Sequence, residues 1–343
     1  MDLPSNPTNV KYLATTYPQR IPQGQIFMVD GTVPGWQPQP ADYHWDHHRL
    51  DGALIQIDEM PLPQSLEQSL ITELTIGQEP ILVTTAVDAD ACIAAAWLQL
   101  PRQLLQQPEI LARLRAIAFD CDHLGVPPAL SHLSDFAANA VATLKLHSQE
   151  LAQRLGLSGS PKNWTEAEQS AFHDKSFEQI TQWLIAAVHG DRPWPGTQGE
   201  AAAYGQQILE DSHLLLVQQR VQLIQGLPVF EIRGIGKAID PRACLQAGRT
   251  LCPPRPETLT VRRHRLGGIV YTLGCDPEHP LVGQLNYCQG TYQQLTAAEV
   301  RKQSTASTDP WGGRRTVGGS GWNTPSLLSP EEVAEILVTP LGR

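Results

Sequence analysis

Residues 80–98 constrain the fold of this chain more than any other stretch. Pro80-Ile81-Leu82-Val83-Thr84-Thr85-Ala86-Val87 is a short run rich in β-branched residues, Asp88-Ala89-Asp90 follows at once, and Ala91-Cys92-Ile93-Ala94-Ala95-Ala96-Trp97-Leu98 has helix-forming composition. Strand, acidic turn and helix in that order open a β-α-β unit. In an open α/β sheet, ligands collect at the carboxyl ends of the strands, so Asp88 and Asp90 can aim two carboxylates at one cation there. The alanines let the helix pack close to the sheet. The same two acids also suit the N-cap and first turn of a helix, where the helix dipole stabilises them by roughly 0.5–2 kcal/mol without any metal.

Two further segments carry the same chemistry. Ala116-Ile117-Ala118-Phe119 reads as a short apolar strand, followed by Asp120-Cys121-Asp122-His123 and the breakers Gly125, Pro127 and Pro128. Successive β-α-β units with right-handed crossovers would bring Asp88, Asp90 and Asp120 to one sheet edge. The other segment is Tyr43-His44-Trp45-Asp46-His47-His48-Arg49, which gathers several of the chain's 11 histidines in one turn-rich stretch. Carboxylate and imidazole are hard-to-borderline ligands suited to Mn²⁺, Mg²⁺, Fe²⁺ or Zn²⁺. Gln25-Ile26-Phe27-Met28-Val29 is expected to be the first strand, and Asp30-Gly31 either its turn or a further ligand at a strand end.

The rest of the chain frames these segments. The expected fold is α/β, with a parallel-sheet N-terminal domain, a helical middle segment and a smaller α+β C-terminal domain. The boundaries are an extended Pro-rich arm over 1–25, an α/β metal-binding domain over 26–129, a helical connector over 130–226 and a substrate-binding domain over 227–343. Helices are expected from Leu130 to Leu155, from the capping box Thr165-Glu166-Ala167-Glu168 to about Val188, and from about Glu200 to Gln225. His173, Asp174, Glu210, Asp211 and His213 then fall on exposed helix faces. Strands are expected at 228–232, 258–261 and 268–273, and Ser329-Pro330 caps a last helix ending at Leu337.

Composition excludes several functions. With 41% hydrophobic and 17% charged residues, no apolar run approaches the ~20 residues of a membrane helix. A formal charge of −10 opposes extended nucleic-acid binding, which rests on Lys and Arg neutralising phosphate. The 6 cysteines show no C-x-x-C spacing and no basic or apolar leader opens the chain, so reduced thiols and a cytoplasmic location are expected. Positive charge is concentrated at Arg262-Arg263-His264-Arg265, which suits either an edge-strand guard or an anion site. Between Asp309 and Thr324, glycines, Arg314, Arg315, two tryptophans and hydroxyls combine groups that can hold phosphate oxygens and stack a base.

Asp46-His47-His48 resembles the signature triplet of the DHH phosphoesterase superfamily, and Val87-Asp88-Ala89-Asp90-Ala91-Cys92-Ile93-Ala94-Ala95-Ala96 is similar to that superfamily's first motif. Arg314-Arg315-Thr316-Val317-Gly318-Gly319-Ser320-Gly321 is loosely similar to the glycine-rich motif of its smaller C-terminal domain. The resemblance implies an Mn²⁺ (or Mg²⁺) site of one or two ions on Asp46, His47, Asp88, Asp90 and Asp120. It further implies that His48 faces the scissile phosphate and that Arg314, Arg315, Gly318, Gly319 and Ser320 bind the substrate. The family's members hydrolyse phosphodiesters or phosphoanhydrides. Here the triplet precedes the D-x-D motif, the reverse of the family's order, and Thr84 stands where the family carries a histidine.

The expected activity is therefore divalent-metal-dependent phosphohydrolysis of a small phosphorylated substrate, with a nucleotide among the candidates, no membrane partner, and a homodimer compatible with it. A non-catalytic binding or scaffold protein that retains a decayed site is the alternative, favoured by Thr84 and by the motif order. A Zn²⁺ hydrolase of unrelated fold, built on the histidine cluster, is the third.

Overall fold

The computed structural model describes residues 10–46, 60–77, 79–157, 163–237, 239–264, 266–302, 310–321 and 324–338, and divides the chain into two units. The first comprises residues 1–121 and 129–201, the second 122–128 and 202–343. Mixed α/β structure with a parallel sheet, a helical middle and a second sheet toward the C-terminus is what the sequence led one to expect. Among the described residues no helix is long and apolar enough to cross a membrane.

The first unit is built on β1 (Lys11–Ala14), β2 (Gln25–Val29), β3 (Tyr43–Trp45) and β4 (Pro80–Thr84), in the order β1-β4-β2-β3, all parallel. Within the stretch expected to be an extended arm, β1 is therefore an edge strand, and Thr15 continues its ladder by donating to the Thr84 carbonyl at 2.9 Å. Both faces of β2 and β4 are buried, which is why they read as unbroken apolar runs. Phe27, Val29 and Leu82 face one core, with the helices. Ile26, Met28, Ile81 and Val83 face another, closed by Val33 with Ile21 and Trp36 packed against it.

Asp88 caps α2 (Ala89–Gln99) by accepting from the Ala91 amide at 3.0 Å. Every residue from Ala89 to Leu98 is buried, so the helix is apolar all round and sits inside the unit. Its alanines allow that: replacing the fully buried Ala95 with a larger residue would overpack the core at a cost of about 1–3 kcal/mol. Around it lie α5 (Ser134–Arg154) and α6 (Glu166–His189). The expected capping box opens α6: Thr165 Oγ1 accepts from the Glu168 amide at 3.2 Å, and the Glu168 carboxylate accepts from the Thr165 amide at 2.7 Å. Gly190, at φ 81°, ends it.

One expected strand is a helix. Ala116–Phe119 lies inside α4 (Pro108–His123), where Ile110, Leu114, Ile117, Ala118 and Cys121 pack against the core at 3- and 4-residue spacing. Alanine-rich apolar runs of four residues suit either element, and here the spacing set by the residues upstream decides it. Asp120 is thus a helix residue and not a strand end.

The second unit carries a sheet in the order β5-β6-β7-β8-β10-β9, formed by Val221–Ile224, Leu227–Glu231, Glu257–Arg263, Ile269–Cys275, Gly318–Gly319 and Gly312–Gly313 respectively. The strands expected at 228–232, 258–261 and 268–273 are β6, β7 and β8. The helix expected to reach Gln225 stops earlier, as α7 (Ala202–Val217), because Gln225 and Gly226 at φ 51° and 80° form a two-residue hairpin joining β5 to β6. Helices α8 (Pro241–Thr250) and α9 (Thr291–Lys302) went unforeseen, while α10 (Pro330–Val338) follows its Ser329 cap as expected. Asp211 is not on an exposed face: it is 3% exposed and pairs with Lys237, while Asp174 in the first unit accepts from the Ala14 amide at 2.7 Å and from Arg20 at 2.8 Å.

Candidate functional site

Because β1, β4, β2 and β3 are parallel, their carboxyl ends share one edge; β1, β2 and β3 are followed at once by Thr15, Asp30 and Asp46, and β4 by Thr85, with Asp88 three residues further on at the start of α2. Asp30 and Asp46 are 6% and 1% exposed, and Asp90, one residue into α2, is 3% exposed. The backbone makes this edge tight. The Asp30 amide donates to the Trp45 carbonyl at 2.8 Å, binding the end of β2 to the end of β3. A Cβ on Gly31 would lie 2.1 Å from Thr85 Oγ1, so only glycine lets the chain after β2 pass the end of β4.

A polar triplet forms where β2 and β3 end. Thr32 Oγ1 donates to Asp46 Oδ2 at 2.5 Å and lies 2.8 Å from His44 Nε2, with the imidazole and that carboxylate oxygen 3.9 Å apart. Trp36 meets the His44 ring edge-on at 5.3 Å. Thr32 was not singled out from the sequence. The signal that could have found it is the hydroxyl placed directly after an Asp-Gly turn at a parallel strand's end.

The cysteines report where the other carboxylates lie. Burial pushes the Cys92 thiol well above its usual range, and the charges of Asp88, Asp30 and Asp90 push it further the same way, while a hydrogen bond from Thr181 opposes them. The Cys121 thiol is raised by burial and then by Asp88 and Asp90, and hydrogen bonds with the Asp90 and Ala89 backbone partly offset this. Asp30, Asp88 and Asp90 therefore lie near enough to Cys92 for their charges to act on it, and Cys121 of α4 meets the backbone of the first turn of α2. Asp120, the neighbour of Cys121, is 1% exposed.

Of the expected ligands, Asp46, Asp88, Asp90 and Asp120 are described, and His47 and His48 lie outside the described residues. Among the described residues no three His, Cys, Asp or Glu side chains are arranged to hold a metal ion. Two local facts account for part of this: Asp88 Oδ1 serves as the α2 cap, and Asp120 projects from a helix rather than from the sheet edge. Thr84, at the position of the family's histidine, donates to the Ala86 carbonyl at 2.7 Å and is fully buried.

In the second unit the glycine-rich segment is a hairpin, β9 to β10, turned by Arg314–Val317. Tyr292 lies beneath it, its hydroxyl 2.8 Å from both the Arg314 and Val317 carbonyls. A Cβ on Gly318 would lie 2.3 Å from that hydroxyl, and one on Gly319 would lie 2.4 Å from the Tyr271 carbonyl. These glycines serve close packing. Ser320 Oγ accepts from the Tyr271 amide at 2.9 Å, Arg315 donates to the Leu285 carbonyl at 2.6 Å and to that of Gly283, and Arg314 pairs with Asp122. Thr316 Oγ1 meets His123 Nδ1 at 3.3 Å. Each residue expected to bind substrate here thus has a role in holding its own hairpin.

No family model matches the chain, and no curated protein matches it. Among solved structures it is similar to an exopolyphosphatase-related protein from Bacteroides fragilis, at a TM-score of 0.31 and 11% sequence identity, over 92% of this chain and 91% of that one. A likeness of that degree establishes neither a shared activity nor a shared family.

Proposed function

We propose that the chain is a divalent-metal-dependent phosphohydrolase whose site is the carboxyl edge of the first unit's parallel sheet. The observation that carries this is the burial of Asp30, Asp46 and Asp90 at that edge, at 6%, 1% and 3% exposure, with Asp120 at 1% on the adjoining helix. Taking an ionised carboxylate out of water costs several kcal/mol, and a cation among several of them offsets that cost.

Carboxylate oxygens with imidazole suit Mn²⁺ or Mg²⁺, one ion or two. In this proposal Asp46, Asp88, Asp90 and Asp120 hold the ion with His47, and His48 faces the phosphate. The chemistry a divalent ion supplies in such a site is acidification of a bound water and neutralisation of phosphoryl charge. The chain's own contribution is to hold the carboxylates fixed: Asp46 by Thr32, Asp88 by the α2 amide at Ala91, and Asp90 and Asp120 by the closely packed ends of α2 and α4. The substrate class is a small phosphoester or phosphoanhydride. Arg314, Arg315, Gly318, Gly319 and Ser320 enter this proposal as the frame of the hairpin, with substrate contact left to groups the hairpin does not use.

A second reading, a binding protein with a decayed site, is favoured by the buried Thr84 in the histidine position and by the lack of a three-ligand group among the described residues. One experiment separates the two. Purified protein is assayed for bound metal and for Mn²⁺-stimulated hydrolysis of bis(p-nitrophenyl) phosphate and of pyrophosphate, beside Asp88→Asn. Turnover that Mn²⁺ stimulates and that Asp88→Asn abolishes supports the hydrolase. Metal-free, inactive wild-type protein supports the binding protein, and bound Zn²⁺ without an Mn²⁺ response points to a zinc enzyme.

A further inference from the structure

A hydroxyl has one proton to give. A carboxylate only accepts, so the Thr32 proton engaged with Asp46 Oδ2 at 2.5 Å is not available to His44. The 2.8 Å contact between Thr32 Oγ1 and His44 Nε2 then has one consistent assignment: Nε2 carries a hydrogen and donates it to the hydroxyl. In the neutral ring this makes Nδ1 the acceptor nitrogen.

The backbone that presents Thr32 is itself costly. Asp30 sits at φ 49° and Gly31 at φ 143°, so a non-glycine residue in the left-handed region precedes a glycine that no side chain could replace beside Thr85. Strained pairs of this kind persist where surrounding structure holds them, and they gather at functional sites. The Asp30 amide, bonded to the Trp45 carbonyl, locks the reversal and turns Thr32 toward the end of β3, where His44 and Asp46 stand on one face of the strand, two residues apart.

We infer that Thr32 is a positioning residue of this edge, orienting the Asp46 carboxylate and fixing His44 as its Nε2–H tautomer through one shared hydroxyl. The effect on turnover rests on the phosphohydrolase reading; the tautomer does not. The same hydroxyl holds the His44 ring by Nε2 and the Asp46 carboxylate by Oδ2. A hydrogen-bonding group that orients a metal-bound or catalytic side chain typically contributes 10- to 100-fold to activity, about the range expected here.

The test uses the full chain with ¹⁵N-labelled histidine, at about pH 8, where an ordinary imidazole of pKa ≈ 6.5 is neutral. Long-range ¹H–¹⁵N correlation, with the His44 signals assigned by their loss in His44→Gln, should show the Nε2–H tautomer in the metal-free wild-type protein. Thr32→Ser should retain it. Thr32→Val, similar in shape but without the hydroxyl, should lose the preference and lower kcat about 10- to 100-fold with KM within about twofold, and Thr32→Ser should recover most of the rate. A wild-type Nδ1–H tautomer, or a Thr32→Val protein with unchanged tautomer and kcat, would overturn the inference. If Thr32→Val does not fold by circular dichroism, the wild-type tautomer and the Thr32→Ser spectrum still decide it. Wild-type protein inactive on every phosphate substrate would sink the hydrolase reading, and the spectra would then judge Thr32 alone.

Discussion

The sheet edge of the first unit and the glycine hairpin of the second both resemble ligand sites in sequence, and their structures differ in one respect. In the hairpin, each polar or glycine residue with ligand-binding chemistry has a structural partner that explains it: Ser320 a buried amide, Arg315 two carbonyls, Arg314 an aspartate, Gly318 a tyrosine hydroxyl. At the sheet edge several carboxylates are buried within one unit, Asp30, Asp46 and Asp90 together with Asp120 on α4, so that like charges gather where the hairpin instead pairs Arg314 with an acid. Motif chemistry alone does not separate a site from a scaffold. What separates them here is the balance of buried charge: carboxylates gathered together at the sheet edge, and a cation matched to a carboxylate in the hairpin.

That contrast can be broken in several ways, beginning with the largest effect. Asp90→Asn keeps the shape of a buried side chain and removes its charge; on the proposed function it should lower Mn²⁺-dependent kcat by more than about 100-fold while the far-ultraviolet spectrum is unchanged. Full activity in a folded Asp90→Asn protein would move the site elsewhere. Gly318→Ala should act on stability instead. Its Cβ would lie 2.3 Å from the Tyr292 hydroxyl and 2.4 Å from the Gly312 carbonyl, so unfolding free energy in a urea titration should fall by about 1–3 kcal/mol. An unchanged midpoint would mean that the hairpin yields easily and that its glycines are there for another reason.

Ser320→Ala leaves the buried Tyr271 amide without its side-chain acceptor, at a cost of roughly 1–3 kcal/mol, and KM for a phosphate substrate should stay within about twofold. Arg315→Ala, at an exposed position, should cost about 1 kcal/mol and likewise leave KM alone. A tenfold rise in KM in either variant would restore the hairpin as a phosphate cradle.

Much of the first unit was legible in the chain because its signals are local. β2 is bounded by an Asp-Gly turn, β4 and α2 by an acidic cap, and α6 by a capping box, and each appears where the residues placed it. α4 was not, because Ala116–Phe119 carries no β-branched excess beyond Ile117, and its helical register is set by Ile110 and Leu114 further upstream. β1 was missed for a related reason: four residues among prolines form a strand only once β4 lies alongside. In the candidate site, Asp88 and Asp90 were recognisable from the end of a strand run and the start of a helix, and Asp46 from its histidine-rich neighbourhood, where the strand β3 was not announced by the residues. Thr32 was not, since its importance comes from two positive φ angles and from the end of β3, neither of which neighbouring residues announce. The hairpin is ambiguous for the opposite reason: glycines that admit Tyr292 look the same in sequence as glycines that admit a phosphate.

If the buried aspartates of the first unit form a cation site, the metal-free protein takes up Mn²⁺ there. The most direct measurement is isothermal titration of the metal-free, full-length protein with Mn²⁺, alongside Asp46→Asn. Saturable binding of one or two ions to the wild-type protein is expected, with a loss of at least about tenfold in affinity in the folded variant. Wild-type protein that takes up no Mn²⁺, or an Asp46→Asn protein that binds it equally well, would contradict the claim.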